Sequence, residues 1–189
     1  MKSLPRRFYA RDPRVVAPLL LNKLLVRGDR VARIVEVEAY AGGEDPGSHA
    51  YRGPTRRNAT MFGPPGHLYV YFTYGMHWCA NAVCGAEGEG VAVLLRAARP
   101  EAGIDLMQVA RPKARSERDL CSGPAKLCQA FSVTGADDGA DLCGASDVVI
   151  GDDGRRPPRA PGVSARIGLS AGADLPWRWF VPGDPNLSR

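Results

Sequence analysis

Between His67 and Ala97 the chain reads as three short strands, His67 to Thr73, His77 to Val83 and Val91 to Ala97. Only Tyr74-Gly75-Met76, and Cys84 with the turn Gly85 to Gly90, separate them. A parallel crossover needs about a dozen residues or more, so linkers this short force the three strands to pair antiparallel. After the Gly28-Asp29 turn, Arg30 to Tyr40 adds another strand, with Val31, Arg33, Val35 and Val37 on one face and Ala32, Ile34, Glu36 and Glu38 on the other. Asp12-Pro13 reads as an N-cap and first helical residue, followed by a stripe of Val15, Val16, Leu19, Leu20 and Leu24, with Pro18 kinking that helix or starting it. Further helices are expected over Glu101 to Ala110 and, capped by Ser122 with Pro124 near its start, over Lys126 to Phe131. Short late strands are expected at 148–150, 163–169 and 177–181, with a flexible loop over 151–162. The pattern predicts an α+β fold, one domain over residues 1–189, with a mostly antiparallel sheet and helices packed on it.

Several classes are excluded. No run of about 18 apolar residues exists, and Asn22 and Lys23 interrupt the best candidate, Ala17 to Val26, so no membrane span is expected. No apolar core with a small-residue cleavage site follows the N-terminal basic residues, so no signal peptide is expected. The five cysteines, 79, 84, 121, 128 and 143, include no CxxC pair and read as free thiols in a reducing cytoplasm, at the nucleoid if the chain is bacterial. Cys121 and Cys128 are spaced to share a helix face. The three histidines, His49, His67 and His77, have no ligand spacing, so no metal and no cofactor is expected. Phosphate-loop, dinucleotide and nucleophile-elbow motifs are absent. Residues 1–34 carry nine Lys/Arg against two Asp, Arg52, Arg56 and Arg57 add to them, and residues 137–153 hold six Asp. One basic and one acidic surface suit a polyanion approached from one side, and a solvating surface explains the same charges.

Three of the six tyrosines lie in YVYFTYGMHWCAN, residues 69–81. Tyr69 and Tyr71 share a strand face and can be core residues with satisfied hydroxyls. Tyr74 is harder to bury, because beside Gly75 and Met76 at a turn it forms an exposed apolar wedge. In a basic protein such a wedge suits insertion between base steps, with aromatic faces behind it to stack on an extruded base. Glu36 and Glu38 point the same way from one strand. They do not flank a bond from opposing sides as paired glycosidase carboxylates do, so one of them at most is the catalytic group.

Five segments, IVEVEAYAGGEDPGSH (34–49), MFGPPGHLYVYFTYGMHWCAN (61–81), GVAVLLRAARP (90–100), LCSGPAKLCQAF (120–131) and ARIGLSAG (165–172), together resemble the alkyladenine (3-methyladenine) DNA glycosylase family. The resemblance implies a curved antiparallel sheet with a protruding β-hairpin, no metal, and a monomer acting on double-stranded DNA containing damaged purines. It implies a monofunctional enzyme that flips out 3-methyladenine, 7-methylguanine or hypoxanthine and hydrolyses the N-glycosidic bond, leaving an abasic site without lyase chemistry. By the same resemblance Glu38 is the general base, and Arg96 and the backbone carbonyl of Ile167 hold the water. Tyr40, His49 and Tyr71 sandwich the base, and the His49 amide bonds its edge. Asn81 obstructs the 2-amino group of guanine, Leu94 lines the pocket, and Tyr74 fills the gap in the stack with Met76 beside it. His77-Trp78 departs from the family pattern, and residues 135–162, expected to face away from DNA, match none of its motifs. A non-catalytic damaged-DNA binder using the same wedge, and a nucleosidase acting on free nucleosides, are the competing readings. Glu38 together with Arg96 argues against the first, and the wedge against the second.

Overall fold

The structure, a computed structural model, describes residues 1–144 and 146–188. Nine strands form one sheet: β1 (Lys2–Ser3), β2 (Leu24–Arg27), β3 (Arg30–Tyr40), β4 (Leu68–Thr73), β5 (His77–Cys84), β6 (Val91–Ala102), β7 (Val148–Asp152), β8 (Gly162–Ser164) and β9 (Arg178–Phe180). The main path runs β1-β7-β2-β3-β6-β5-β4, and β9 joins β3 beyond the end of β2 and carries β8. Every pairing is antiparallel, and the sheet curls into a half-barrel. The five helices are α1 (Arg6–Tyr9), α2 (Pro13–Leu20), α3 (Ile104–Ala110), α4 (Glu117–Leu120) and α5 (Pro124–Ala130).

One sheet face is packed by α2, α3 and α5, with Leu20, Ile34, Val37, Leu95, Leu127 and Phe131 at the heart of the core. The opposite face is covered by the 41–66 loop, which sets Ala50 and Met61 against Tyr69, Val83 and Ala92. That loop is tied down from within. Asn58 donates to the carbonyls of His49 (2.9 Å) and Gly53 (3.2 Å), and Asp45 forms a fully buried pair with Arg166. The candidate site lies between this loop and the sheet.

The expected strand Arg30–Tyr40 forms over those residues, but its alternation does not run through. The β3–β6 ladder is irregular between Ile34–Ala98 and Val37–Leu95. Before that point Ala32 and Ile34 belong to the core; after it Val37 and Ala39 do. On β6 the core positions likewise pass from Val91, Val93 and Leu95 to Ala98. Both strands change phase together, so Glu36 and Glu38 lie on the face opposite Ala32 and Ile34.

Other expectations need correction. Leu24 belongs to β2, where it pairs with Arg33, and α2 runs from Pro13 through Pro18 with the Asp12 side chain accepting from the Arg14 amide. The helix expected at Glu101 starts at Ile104, because the strand continues to Ala102 and Gly103 turns the chain at a φ of 64°. Gly123, not Ser122, caps α5, and the Ser122 hydroxyl instead meets the Lys126 ammonium. Cys121 follows α4 while Cys128 lies in α5, so they share no helix, though all five thiols are free. Trp78, where the chain departs from the family pattern, turns inward against the core and Gly135. Strand β8 stops at Ser164, which frees the following residues to enter the site.

The charge pattern also resolves differently. Asp137 and Asp147 pair with Arg27, Asp141 with Arg6, Asp152 with Lys23 and Asp153 with Arg33. The acidic stretch therefore neutralises much of the basic N-terminal region instead of forming a separate face. Among the described residues no helix is long and apolar enough to cross a membrane.

Candidate active site

A single row of register partners crosses five strands: Arg178 on β9, Glu38 on β3, Leu94 on β6, Asn81 on β5 and Tyr69 on β4. Directly paired residues in an antiparallel sheet project to one side, so these five share the face opposite the helices. Two residues along each strand, Tyr40 and Tyr71 join them on that face. The sheet thus gathers Glu38, Tyr40, Tyr71, Leu94 and Asn81, which are scattered over more than fifty positions of sequence.

Glu38 is fully buried, and three polar groups hold its carboxylate. Its Oε1 accepts from the Ile167 amide at 2.8 Å and lies 3.2 Å from an Arg96 guanidinium nitrogen, while Oε2 accepts from the Tyr40 hydroxyl at 2.9 Å. Ile167 therefore reaches Glu38 through its N–H. Burial, then the adjoining Glu38 charge, pushes the Tyr40 phenol far above its usual range, so Tyr40 stays a proton donor. Arg96 Nε donates to Glu36 Oε1 at 2.9 Å, so the guanidinium bridges both carboxylates. Burial opposes its charge, but Glu38 and Glu36 together outweigh that and hold Arg96 charged. Two features the sequence did not single out complete the cluster: Arg178 and Ser188, both bonded to Glu36.

Beside this cluster lies a narrow pocket of about 50 Å³ lined by Tyr40, Gly47, His49, Met61, Tyr69, Tyr71, Asn81 and Leu169. Tyr69 stacks on Tyr71 at 5.6 Å and 28°, and its hydroxyl is 3.3 Å from His49 Nδ1. Of the lining residues the sequence did not name, Gly47, Met61, Tyr69 and Leu169, Tyr69 was the nearest to being found, since it shares a strand face with Tyr71. Asn81 donates to the Tyr69 carbonyl at 3.2 Å, which fixes its amide in the pocket wall. Leu94 is buried in the row between Glu38 and Asn81 and is not among the lining residues. Desolvation, then the Arg57 charge, lowers the His49 pKa, so the imidazole is neutral at neutral pH. His49 and Tyr71 touch edge to face, with centroids 4.4 Å apart at 80°. A flat ring held between two others needs about 7 Å, twice a carbon contact distance, so these two walls have to part to admit one.

At the far end of β4 and β5 the chain turns through Tyr74, Gly75 and Met76. Tyr74 (φ 52°) and Gly75 (φ 65°) both adopt left-handed backbone inside this three-residue loop, and the Met76 amide closes a tight turn onto the Thr73 carbonyl at 3.2 Å; the first central position of such a turn usually carries Asn, Asp or Gly. Tyr74 is 81% exposed and Met76 65%. A bulky aromatic this open adds little to the core, and its left-handed backbone is one that large side chains rarely adopt. Arg57 donates to the Phe72 carbonyl at 2.8 Å, bringing positive charge beside the tip. Among the described residues no three His, Cys, Asp or Glu gather to hold a metal.

The family model for methylpurine-DNA glycosylase matches residues 7–185. A Burkholderia lata protein named "Putative 3-methyladenine DNA glycosylase" is 58% identical over 187 residues, covering 98% of this chain and 90% of its own. Proteins of the same name from Carboxydothermus hydrogenoformans and Streptomyces avermitilis are 48% and 47% identical, each over 98% of this chain and over 98% and 90% of their own lengths.

Proposed function

Since the chain belongs to the methylpurine-DNA glycosylase family, a family of base-releasing hydrolases, we propose that it extrudes an alkylated or deaminated purine from duplex DNA and hydrolyses its glycosidic bond with water activated by Glu38. The observation that carries the reading is a buried carboxylate, held by Arg96, Tyr40 and the Ile167 amide, one step from an aromatic pocket. Bond cleavage leaves the electron pair on the purine and cationic character on the sugar. The carboxylate stabilises that cation and takes the proton of the attacking water. Oε1 already accepts from Ile167 and faces Arg96, so Oε2, which holds one donor, is the oxygen best placed to take it. An alkylated purine such as 3-methyladenine or 7-methylguanine is cationic and leaves readily, whereas hypoxanthine must first be protonated. A neutral His49 does not repel a cationic base. His49 is an exposed residue whose ring leans on Tyr69 and Tyr71, so it can swing off Tyr71 and close on the base from the other side. Release of free purine from duplexes carrying defined lesions tests the whole reading. Retention of binding without release would favour a non-catalytic binder.

Two residues give narrower tests. Tyr74, as the wedge, supports the extruded state at about the strength of one stacking contact, roughly 1–3 kcal/mol. Tyr74→Gly should weaken extrusion by that amount in a base-analogue fluorescence titration. The melting temperature should hold or rise slightly, because glycine relieves the left-handed backbone. A clear fall in melting temperature with unchanged extrusion would make Tyr74 a folding residue.

Asn81 is buried in the pocket wall and tethered to the Tyr69 carbonyl, where it opposes the exocyclic amine of guanine. Asn81→Ser shortens that obstruction. The expected result is measurable release of undamaged guanine from duplex DNA, and none at all would remove Asn81 from the selectivity account.

A further inference from the structure

Glu36 lies one row from Glu38, is equally buried, and has no part in the proposed chemistry. Its bonds are nevertheless concentrated on the site. Oε1 accepts from Arg96 Nε at 2.9 Å, Arg178 Nε at 2.7 Å and the Ser188 hydroxyl at 2.6 Å, and Oε2 accepts from the Ser188 amide at 2.6 Å. The Ser188 hydroxyl also lies 3.1 Å from Arg96 Nη2. The remaining guanidinium nitrogen, Nη1, is the one that faces Glu38. A planar fork fixed at Nε and Nη2 has no freedom left at Nη1.

We infer that Glu36 and Ser188 are positioning residues that aim Arg96 at Glu38 and share its positive charge, so that Glu38 stays basic enough to activate water. The inference rests on Glu38 being the base. The charged and titratable groups around Glu38 are Glu36 and Tyr40 from β3, Arg96 from β6, Arg178 from β9 and Cys79 from β5, with Arg166 beyond the Tyr40 ring and paired to Asp45. At present two carboxylates stand against two guanidiniums. Removing the Glu36 charge leaves Glu38 alone against both. Both guanidiniums then act on the Glu38 carboxylate alone, and Arg96 is drawn further onto it, into the space the water needs. Burial alone would raise the Glu36 carboxyl, but Arg178, Ser188 and Arg96 hold it below its ordinary value, so its charge is present at working pH.

Ser188 provides the milder variant. Its segment is anchored separately, through Asp184 to Arg99 at 2.8 Å, so losing one hydroxyl does not release it. The experiment is single-turnover release of 7-methylguanine from duplex DNA across a range of pH, for the unaltered protein, Glu36→Gln, Glu36→Asp and Ser188→Ala. Duplex affinity and melting temperature are measured alongside. Glu36→Gln and Ser188→Ala should each bind the duplex normally and lose about tenfold in rate, the scale of one hydrogen bond to a charged group. The acid limb of the Glu36→Gln profile should move to lower pH, which a purely structural role would not cause. Glu36→Asp keeps the charge and should keep the limb in place. An unchanged limb, or a rate loss only in step with melting, overturns the inference. If Glu36→Gln does not fold, a normal rate in Ser188→Ala overturns it alone. Failure of the unaltered protein to release base would instead refute the assignment of Glu38 and the inference with it.

Discussion

Glu38→Gln is expected to abolish base release while leaving affinity for lesion-bearing duplex intact. Glutamine keeps the side-chain shape and accepts through one oxygen, but it cannot take a proton from water or oppose a developing sugar cation. Loss of a general base costs about 100- to 10,000-fold, and loss of the buried charge beside the sugar adds to it. The substitution also strands Arg96 and Arg178 against Glu36 alone, so some loss of stability accompanies it. Single-turnover release beside a binding titration separates the two effects. Release at a normal rate would refute Glu38 as the base.

The second large effect concerns stability. Arg166 and Asp45 are both fully buried and share two contacts, at 2.5 and 2.7 Å. Arg166 also donates to the Ala39 and Gly172 carbonyls and lies over the Tyr40 and Trp177 rings, at 4.7 and 5.2 Å from their centroids. Arg166→Met leaves Asp45 charged, buried and unpaired, which costs about 3–5 kcal/mol. At about 2–4 °C per kcal/mol for a chain of this size, the melting temperature should fall by roughly 6–20 °C. Pairing it with Asp45→Leu should recover part of that, because no lone charge remains. Recovery stays partial, since the Ala41 and Gly47 amides lose the Asp45 oxygens they donate to. Thermal melting of both variants decides it, and a fall below about 2 °C for Arg166→Met would show that the pair is not what anchors the loop.

Much of this was readable from local rules. The meander followed from the lengths of its linkers, and Tyr74 stood out because a turn cannot bury it. The resemblance then supplied Glu38 and Arg96, and the sheet brings them together. What stayed hidden depends on long-range pairing. Nothing local to Arg166 marks it as the partner of Asp45, 121 positions away. The aspartates at 137–153 read as an acidic surface because their partners, Arg6, Lys23, Arg27 and Arg33, lie at the other end of the chain. Glu36 was set aside because its role arises only where Arg178 and Ser188 arrive from distant segments. The faces of β3 were misassigned after Ile34 because a regular period of two cannot anticipate an irregular ladder.

That irregularity constrains chain length as well as residue identity. Deleting one residue from Val35 to Val37 would carry Glu38 toward the core face, because a shift of one reverses every side chain beyond it. A deletion in the facing stretch of β6 would do the same to Arg96. Removing one residue from each strand would restore an even ladder and a sound sheet, but with fewer positions for Glu36, Arg96 and their neighbours. In inheritance the two strands are therefore coupled. An insertion or deletion in either strand alone disarms the enzyme, and the pair of deletions that repairs the sheet does so by removing part of the site.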